Sequence, residues 1–228
     1  VKGFVLCGAF FDVRGDEMSD ILYDAAAQYQ KLKDIIYEII LGRKRKSYRL
    51  MLHFPPESFF HLAGLQHLID ITFSSQNKER IFKDILARKI TEETIKKSVF
   101  YEKEFVNERL QYLGLLQTML ESNSVVFLIN PREYARYTKI KANYLFTYTH
   151  LDIHELYFFS FIETRNPRFE DECKGCSFFK KHDVDFTQGT SKSTTLLINK
   201  ILNYRKKEET TIEIYRNPSY EEVTGNDL

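Results

Sequence analysis

The 228-residue chain contains no tryptophan, only three cysteines, five prolines and nine glycines. Three thiols do not make a disulfide framework, which points to a reducing compartment and a cytoplasmic protein. No apolar run reaches the length of a membrane span, so no membrane partner is expected, and "VKGFVLCGAFFDVRGDEMSD" lacks a signal-peptide pattern. The chain starts at Val1 rather than at Met, as a module of a longer chain would. An excess of either charge is also missing. Lys and Arg number 33 against 32 Asp and Glu, a net +1, so any surface for a polyanion must come from local clustering. Phosphate-cradling glycine motifs, nucleophile elbows and the repeated carboxylate spacing of a magnesium site are absent, and no cofactor is expected.

What is present is a folding composition, 43% hydrophobic and 29% charged, with 19 Phe and 14 Tyr that can build core or line a base-stacking pocket. The sharpest basic cluster is "GRKRKSYR", with Arg43, Lys44, Arg45, Lys46 and Arg49 and no acid among them. Such a run is either a solvated hairpin or an RNA-binding patch. Residues 20–40 read as one helix, "SYRLMLHF" as a short strand, and 57–71 as a second helix behind Pro55 and Pro56. "NKERIFKDILARKI" and "TEETIKKS" predict two short helices, the latter with Thr91 and Thr94 in a weak capping-box pattern, and 101–122 predicts a long one. From there "SVVFLI", "YLFTYT", "ELYFFSFIE", "SFFKK" and "TTLLI" read as strands, with "TIEIY" as a further strand or part of a tail. The expected fold is α+β in one domain over 1–202. N-terminal helices (about 20–122) would pack on a C-terminal antiparallel sheet (123–202), with 203–228 a strand or tail without an assigned role.

On a helical wheel over 57–71, Phe60, Leu62, Leu65, Leu68, Ile69 and Ile71 form an apolar arc, His67 lies on the solvent side, and His61 falls within the arc beside Gly64. On 101–122, Arg109 lies inside the stripe of Phe105, Tyr112, Leu113, Leu116 and Leu120. A buried guanidinium needs a carboxylate, carbonyls or a bound anion. Each residue alone reads as a satisfied core group; both together suggest a shared cleft. Metal-independent RNA cleavage needs a base for the 2′-hydroxyl, an acid for the 5′-oxygen and cations around the phosphoryl oxygens, and histidine suits either proton transfer. His53, at its strand end, is a second candidate or a support. Ser193, Thr195 and Lys200 on "TSKSTTLLINK" offer phosphate contacts, or simply a polar-faced strand. "CKGC" carries a single CxxC. A zinc site would draw on Cys173, Cys176 and His182, with His150 and His154 as other partners, but an incidental β-turn is the simpler reading. Cys7 is isolated.

"HFPPESFFHLAGLQHLIDI", "KSVFYEKEFVNERLQYLGLL", "IKANYLFTYT" and "TTLLINK" together resemble the phage-associated barnase–EndoU–colicin–RelE-like nucleases, the fourth such phage-linked group. The resemblance covers about 20–202. It is most specific at His61-Leu62-x-Gly64-Leu65, with Arg109, Tyr144-Leu145-Phe146 and Thr195-Leu196-Leu197 as secondary matches. It implies a barnase/RelE-like nuclease core and an RNA substrate, often transfer RNA or ribosome-associated RNA. It also implies a toxin or mobile-element module, which would be paired with an immunity or antitoxin protein. His61, Arg109 and Thr195 carry over as site residues, and Tyr144 as an RNA contact. The rival readings are a non-catalytic RNA binder, which needs charge and aromatics but no titrating histidine, and a phage-encoded protein-interaction module.

Overall fold

The expected helix over 20–40 stops half-way. In the computed structural model, which describes residues 20–221 apart from 74, 123–124, 137, 152–153, 166–170 and 205, α1 spans Ile21–Gln30. Asp20 caps it, its carboxylate accepting from the Tyr23 N–H at 3.0 Å. The rest, "IIYEIILGR", is strand β1 (Ile35–Arg43). Its dense isoleucines fit a sheet position covered on both faces, and residues 35–41 are all buried. A two-residue turn at Lys44 and Arg45, with left-handed φ of 49° and 61°, leads into β2 (Lys46–His53). The basic run is thus the tip of a β-hairpin.

The helix expected over 57–71 is also shorter. α2 covers Ser58–Leu62, and Gly64, at φ 77°, turns the chain into a single 3-10 turn at Leu65–His67. The wheel drawn through 71 therefore fails beyond that glycine: Ile69, assigned to the apolar arc, is 77% exposed. Helices α3 (Lys78–Leu86) and α4 (Glu92–Ile95) stand where expected. At the start of α4 the Thr94 hydroxyl accepts from the Thr91 N–H, so a threonine fills the role of the usual acid. The long helix over 101–122 is two: α5 (Val106–Leu113) and α6 (Leu116–Glu121). Phe105 sits outside α5 at φ 53° and is 48% exposed, so the packing stripe runs through Val106, Leu110 and Leu113 instead.

Strands β3 (Val125–Ile129), β4 (Tyr144–His150), β5 (His154–Arg165), β6 (Asp171–Lys180), β7 (Thr190–Lys192), β8 (Thr194–Leu202) and β9 (Thr210–Arg216) follow, with a short helix α7 (Pro131–Tyr134) after β3. All nine strands form one sheet in the order β7-β3-β4-β5-β6-β2-β1-β8-β9. Every pairing is antiparallel except β2 with β6, which is parallel. Expectation and structure part here. The fold is mixed and sheet-dominated: two central strands come from the half read as helical, and the sheet is not purely antiparallel.

β7 and β8 stand far apart in the sheet order yet are separated in sequence only by Ser193. In a flat sheet the seven intervening spacings would hold them roughly 34 Å apart at about 4.8 Å each, whereas two residues reach at most about 7 Å. The sheet must therefore roll up, with residues 190–202 pairing to β3 at one end and to β1 at the other. Ser193 pins the crossing, its N–H and hydroxyl both donating to the Val126 carbonyl at 2.9 and 2.6 Å. One large apolar cluster gathers side chains from both helices and strands, among them Leu22, Tyr37, Phe59, Leu62, Ile85, Leu110, Phe158 and Phe178. A second cluster, around Tyr134, Leu145, Tyr157 and Phe159, lies near α7. No helix among the described residues is long and apolar enough to cross a membrane.

Candidate active site around His61

α2 is held by its ends. The Pro55 and Pro56 carbonyls accept from the Ser58 and Phe59 N–H groups, and Phe59 and Leu62 are fully buried beneath it. Five residues of helix leave His61 half-buried rather than in the core. It opens into a cavity of about 500 Å³ whose walls include Glu57, Ser58, Lys78, Lys141 and Lys174. Phe161, Gly175 and Cys176 complete the lining. Lys78, at the first turn of α3, brings its ammonium 2.6 Å from His61 Nε2. An ammonium can only donate, so Nε2 accepts and the imidazole is neutral, with its proton on Nδ1. Burial, then the positive charges of Lys78, His67 and Lys174, hold the His61 pKa below its ordinary value.

Three lysines around one neutral histidine make a concave cationic site. Its negative charge gathers at Lys174, which is paired with exposed Glu163 and lies 3.9 Å from Glu57 in the wall, while Lys141 makes no ion pair among the described residues. A larger hollow, of 660 Å³, lies between Phe73, Arg80, Lys89 and Thr94, but it has no histidine, and both cations already face Asp84.

Arg109 and Gly64 meet as a packing pair. A Cβ on Gly64 would come within 2.7 Å of Arg109 Cδ, so the space left by the glycine is taken by the arginine stem. The guanidinium donates from Nη1 to the Phe178 carbonyl at 3.0 Å and lies over the Phe179 ring at 5.1 Å. Burial pulls its pKa down to about 10, with Glu104 and Glu108 opposing. Arg109 thus supports α2 from behind and is not among the residues lining the His61 cavity. His67, expected at the surface, is partly buried, 3.4 Å from Glu104, and its pKa is lowered by burial and by Arg109.

The other predicted residues lie elsewhere. His53 opens on a separate cavity of 340 Å³ with Lys33, Glu172, Tyr204 and Lys206, although it is the register partner of Lys174. Lys200 donates to Glu121 at 2.9 Å, and Thr195 is buried opposite Leu41. Ser193 is the strand crossing, and the Tyr144 hydroxyl donates to Asp171 at 3.1 Å. Arg43, Lys44, Arg45 and Lys46 form the hairpin tip, while Arg49 further along β2 pairs with buried Glu38. "CKGC" is strand, not turn. Cys173 faces the main core and Cys176 the second cluster, on a bulge between Gly175 and Ser177, and burial pushes the Cys176 thiol up to about 12. His182 instead pairs with Glu108 at 2.8 Å and stacks on Phe105. Cys173, Cys176 and His182 are therefore not brought together, and no group of three or more metal-ligating side chains occurs among the described residues. Cys7 lies outside them.

Lys78, Lys141 and Lys174 escaped the sequence reading. They come from three segments with no shared periodicity, and the only local clue is Lys174 inside "CKGC", read there for its thiols.

The chain belongs to the family described as phage-Barnase-EndoU-ColicinE5/D-RelE like nuclease4, whose model matches residues 21–217. The match runs past residue 202 and takes in β9. Comparison with curated proteins and with solved structures finds no match.

Proposed function

We propose that the chain is a metal-independent endoribonuclease with its centre at His61. The observation that carries this reading is the His61–Lys78 pair, 2.6 Å apart in a lysine-lined cavity. Lys141 and Lys174 hold the phosphoryl oxygens of RNA. The incoming 2′-hydroxyl displaces the Lys78 ammonium from His61 Nε2, that nitrogen takes its proton as the 2′-oxygen attacks phosphorus, and the freed ammonium gives a proton to the departing 5′-oxygen. Products are a 2′,3′-cyclic phosphate and a 5′-hydroxyl, and proton return from His61 to Lys78 resets the pair. Arg109 acts as a positioning residue beneath Gly64. His53, Thr195 and Lys200 are left supporting roles, as are Tyr144 and Ser193 in the sheet, while the hairpin cations Arg43 to Lys46 and Arg49 extend the basic surface for RNA. On this reading the helices cover one face of a nuclease-type sheet. The protein acts in the cytoplasm as a toxin-like module on transfer RNA or ribosome-associated RNA, and an immunity or antitoxin protein restrains it.

The test is incubation of a broad RNA panel, including transfer RNA, with wild type and His61→Ala in EDTA, with product ends identified. Cyclic phosphate ends lost in the folded variant support the mechanism. RNA bound without cleavage by the wild type points instead to a non-catalytic RNA-binding module.

A further inference from the structure

Beside the His61 cavity lies a second hollow, about 550 Å³, bounded by Pro131, Ala135, Ile140, Ala142, Asn143 and Phe161. The two share a wall, because Lys141 and Phe161 line both. Their chemistry differs. The first holds His61 and three lysines; the second has the apolar walls of Pro131, Ala135, Ile140 and Ala142 with Thr138 and Lys139 among them, and Phe161 at the junction. A cationic site adjoining a hollow with apolar walls and an aromatic ring matches a nucleotide, whose phosphate and base make those two demands.

We propose that this second hollow is a nucleobase subsite, which takes the base of a nucleotide next to the bound phosphate and so selects single-stranded RNA. The proposal rests on the reading of the His61 cavity as a phosphate site. Phe161 offers the stacking surface. Lys174 Nζ lies 5.6 Å from its ring centroid, so one lysine ties the phosphate side to the aromatic side. The wall is pre-organised. The Asn143 N–H donates to the Ser160 carbonyl at 2.9 Å, and its own carbonyl accepts from the Ile129 N–H at 2.8 Å. Its side-chain oxygen accepts from the Ile162 N–H at 2.9 Å. That last bond orients the amide, leaving the NH₂ group as the end that can donate to a base acceptor. Ala142 and Ile140 belong to the second apolar cluster, which backs the hollow. A paired base keeps its faces stacked and its edge engaged, so only an unpaired base can enter.

The test is binding, in EDTA, of 2′-O-methyl tri- and tetraribonucleotides, which lack the nucleophile and remain intact. Each is compared with versions made abasic at one position in turn and with a matched duplex. One abasic position should weaken binding to the wild type about tenfold or more. Phe161→Ala should lose the same factor on the full oligomer and nothing further on that abasic one. Phe161→Tyr should keep affinity, and Phe161→Leu, which preserves bulk without a π face, should not. Equal affinity for all abasic versions, or a duplex bound as tightly with the same Phe161 dependence, overturns the subsite. Cleavage is scored separately on ordinary RNA. Cleavage with base-independent binding leaves the nuclease reading standing without the subsite; base-dependent binding without cleavage does the reverse.

Discussion

Two groups of charged side chains in this molecule are treated in opposite ways. At the end of α6, the Glu121 carboxylate receives the Tyr37 hydroxyl at 2.6 Å, the Lys200 ammonium at 2.9 Å and the Gln117 amide at 3.1 Å. Burial pushes the Glu121 carboxyl up, but those hydrogen bonds more than offset it and leave its pKa below the ordinary value. Every donor there is spent on one internal acceptor. Around His61 the proportions are reversed: three lysines and a neutral imidazole face a cavity with one carboxylate, Glu57, in its lining, and Glu163 pairs with Lys174 from outside it. A saturated cluster holds the fold together; an unsaturated one is ready for an anion.

The largest test of that contrast is His61→Ala, which should lower RNA cleavage by about 10²- to 10⁴-fold while circular dichroism and the urea midpoint stay close to wild type. Glu121→Ala should do the reverse. It strands the Tyr37 hydroxyl and the Lys200 ammonium and should cost about 2 kcal/mol in urea denaturation, with cleavage by the folded fraction retained. Gly64→Ala falls between the two. It demands a left-handed alanine and drives a methyl into Arg109, so a loss of about 2 kcal/mol is expected. Cleavage should fall as well, because α2 loses its backing.

The pH dependence sharpens the comparison further. His61 and His67 both have lowered pKa values, so the unfolded chain binds more protons below its histidine pKa of about 6.5. Their contribution to stability is fully present above that pH and is lost as pH falls through the lower folded values. Cleavage by neutral His61 should likewise rise along an acid limb that lies below that of an ordinary histidine. Lys78→Met removes both the proposed acid and a positive neighbour, so the rate should fall and the acid limb of the residual rate profile should move to higher pH. A limb that stays put would show that Lys78 does not set the state of His61. The smallest expected effect is at the hairpin. Replacing Lys44-Arg45 with Asn-Gly relieves two left-handed non-glycine residues, should stabilise by about 1 kcal/mol, and should reduce the salt dependence of RNA binding.

Much of the architecture was legible locally. β3, β4, β5, β8 and β9, and the short helices α3 and α4, follow their apolar period and turn residues. The failures have two causes. "DIIYEII" has no glycine or proline, so it extends the pattern of α1. Its identity as a strand depends on β2 and β8 pairing on either side of it, which no window of the chain contains. The split of 101–122 is different: Gly114 is a local weak point that the helical pattern overran, and Phe105 stands before α5 in a left-handed conformation. At the candidate site the sequence singled out His61, on α2, and Gly64, two residues beyond its end. It placed Arg109 in the same neighbourhood without showing that the arginine lies under Gly64 rather than in the cavity.

The sequence by itself determined the family, a helix that starts after Pro55-Pro56 and the histidine that helix carries, because these depend on residues within a few positions of one another; that the helix ends before Gly64 rather than at 71 came from the structure. Only the tertiary structure decided which cations surround that histidine. Lys78, Lys141 and Lys174 converge because the parallel β2–β6 pairing and the roll of the sheet bring three distant segments to one cavity, and such non-local pairing leaves no periodic mark on the chain.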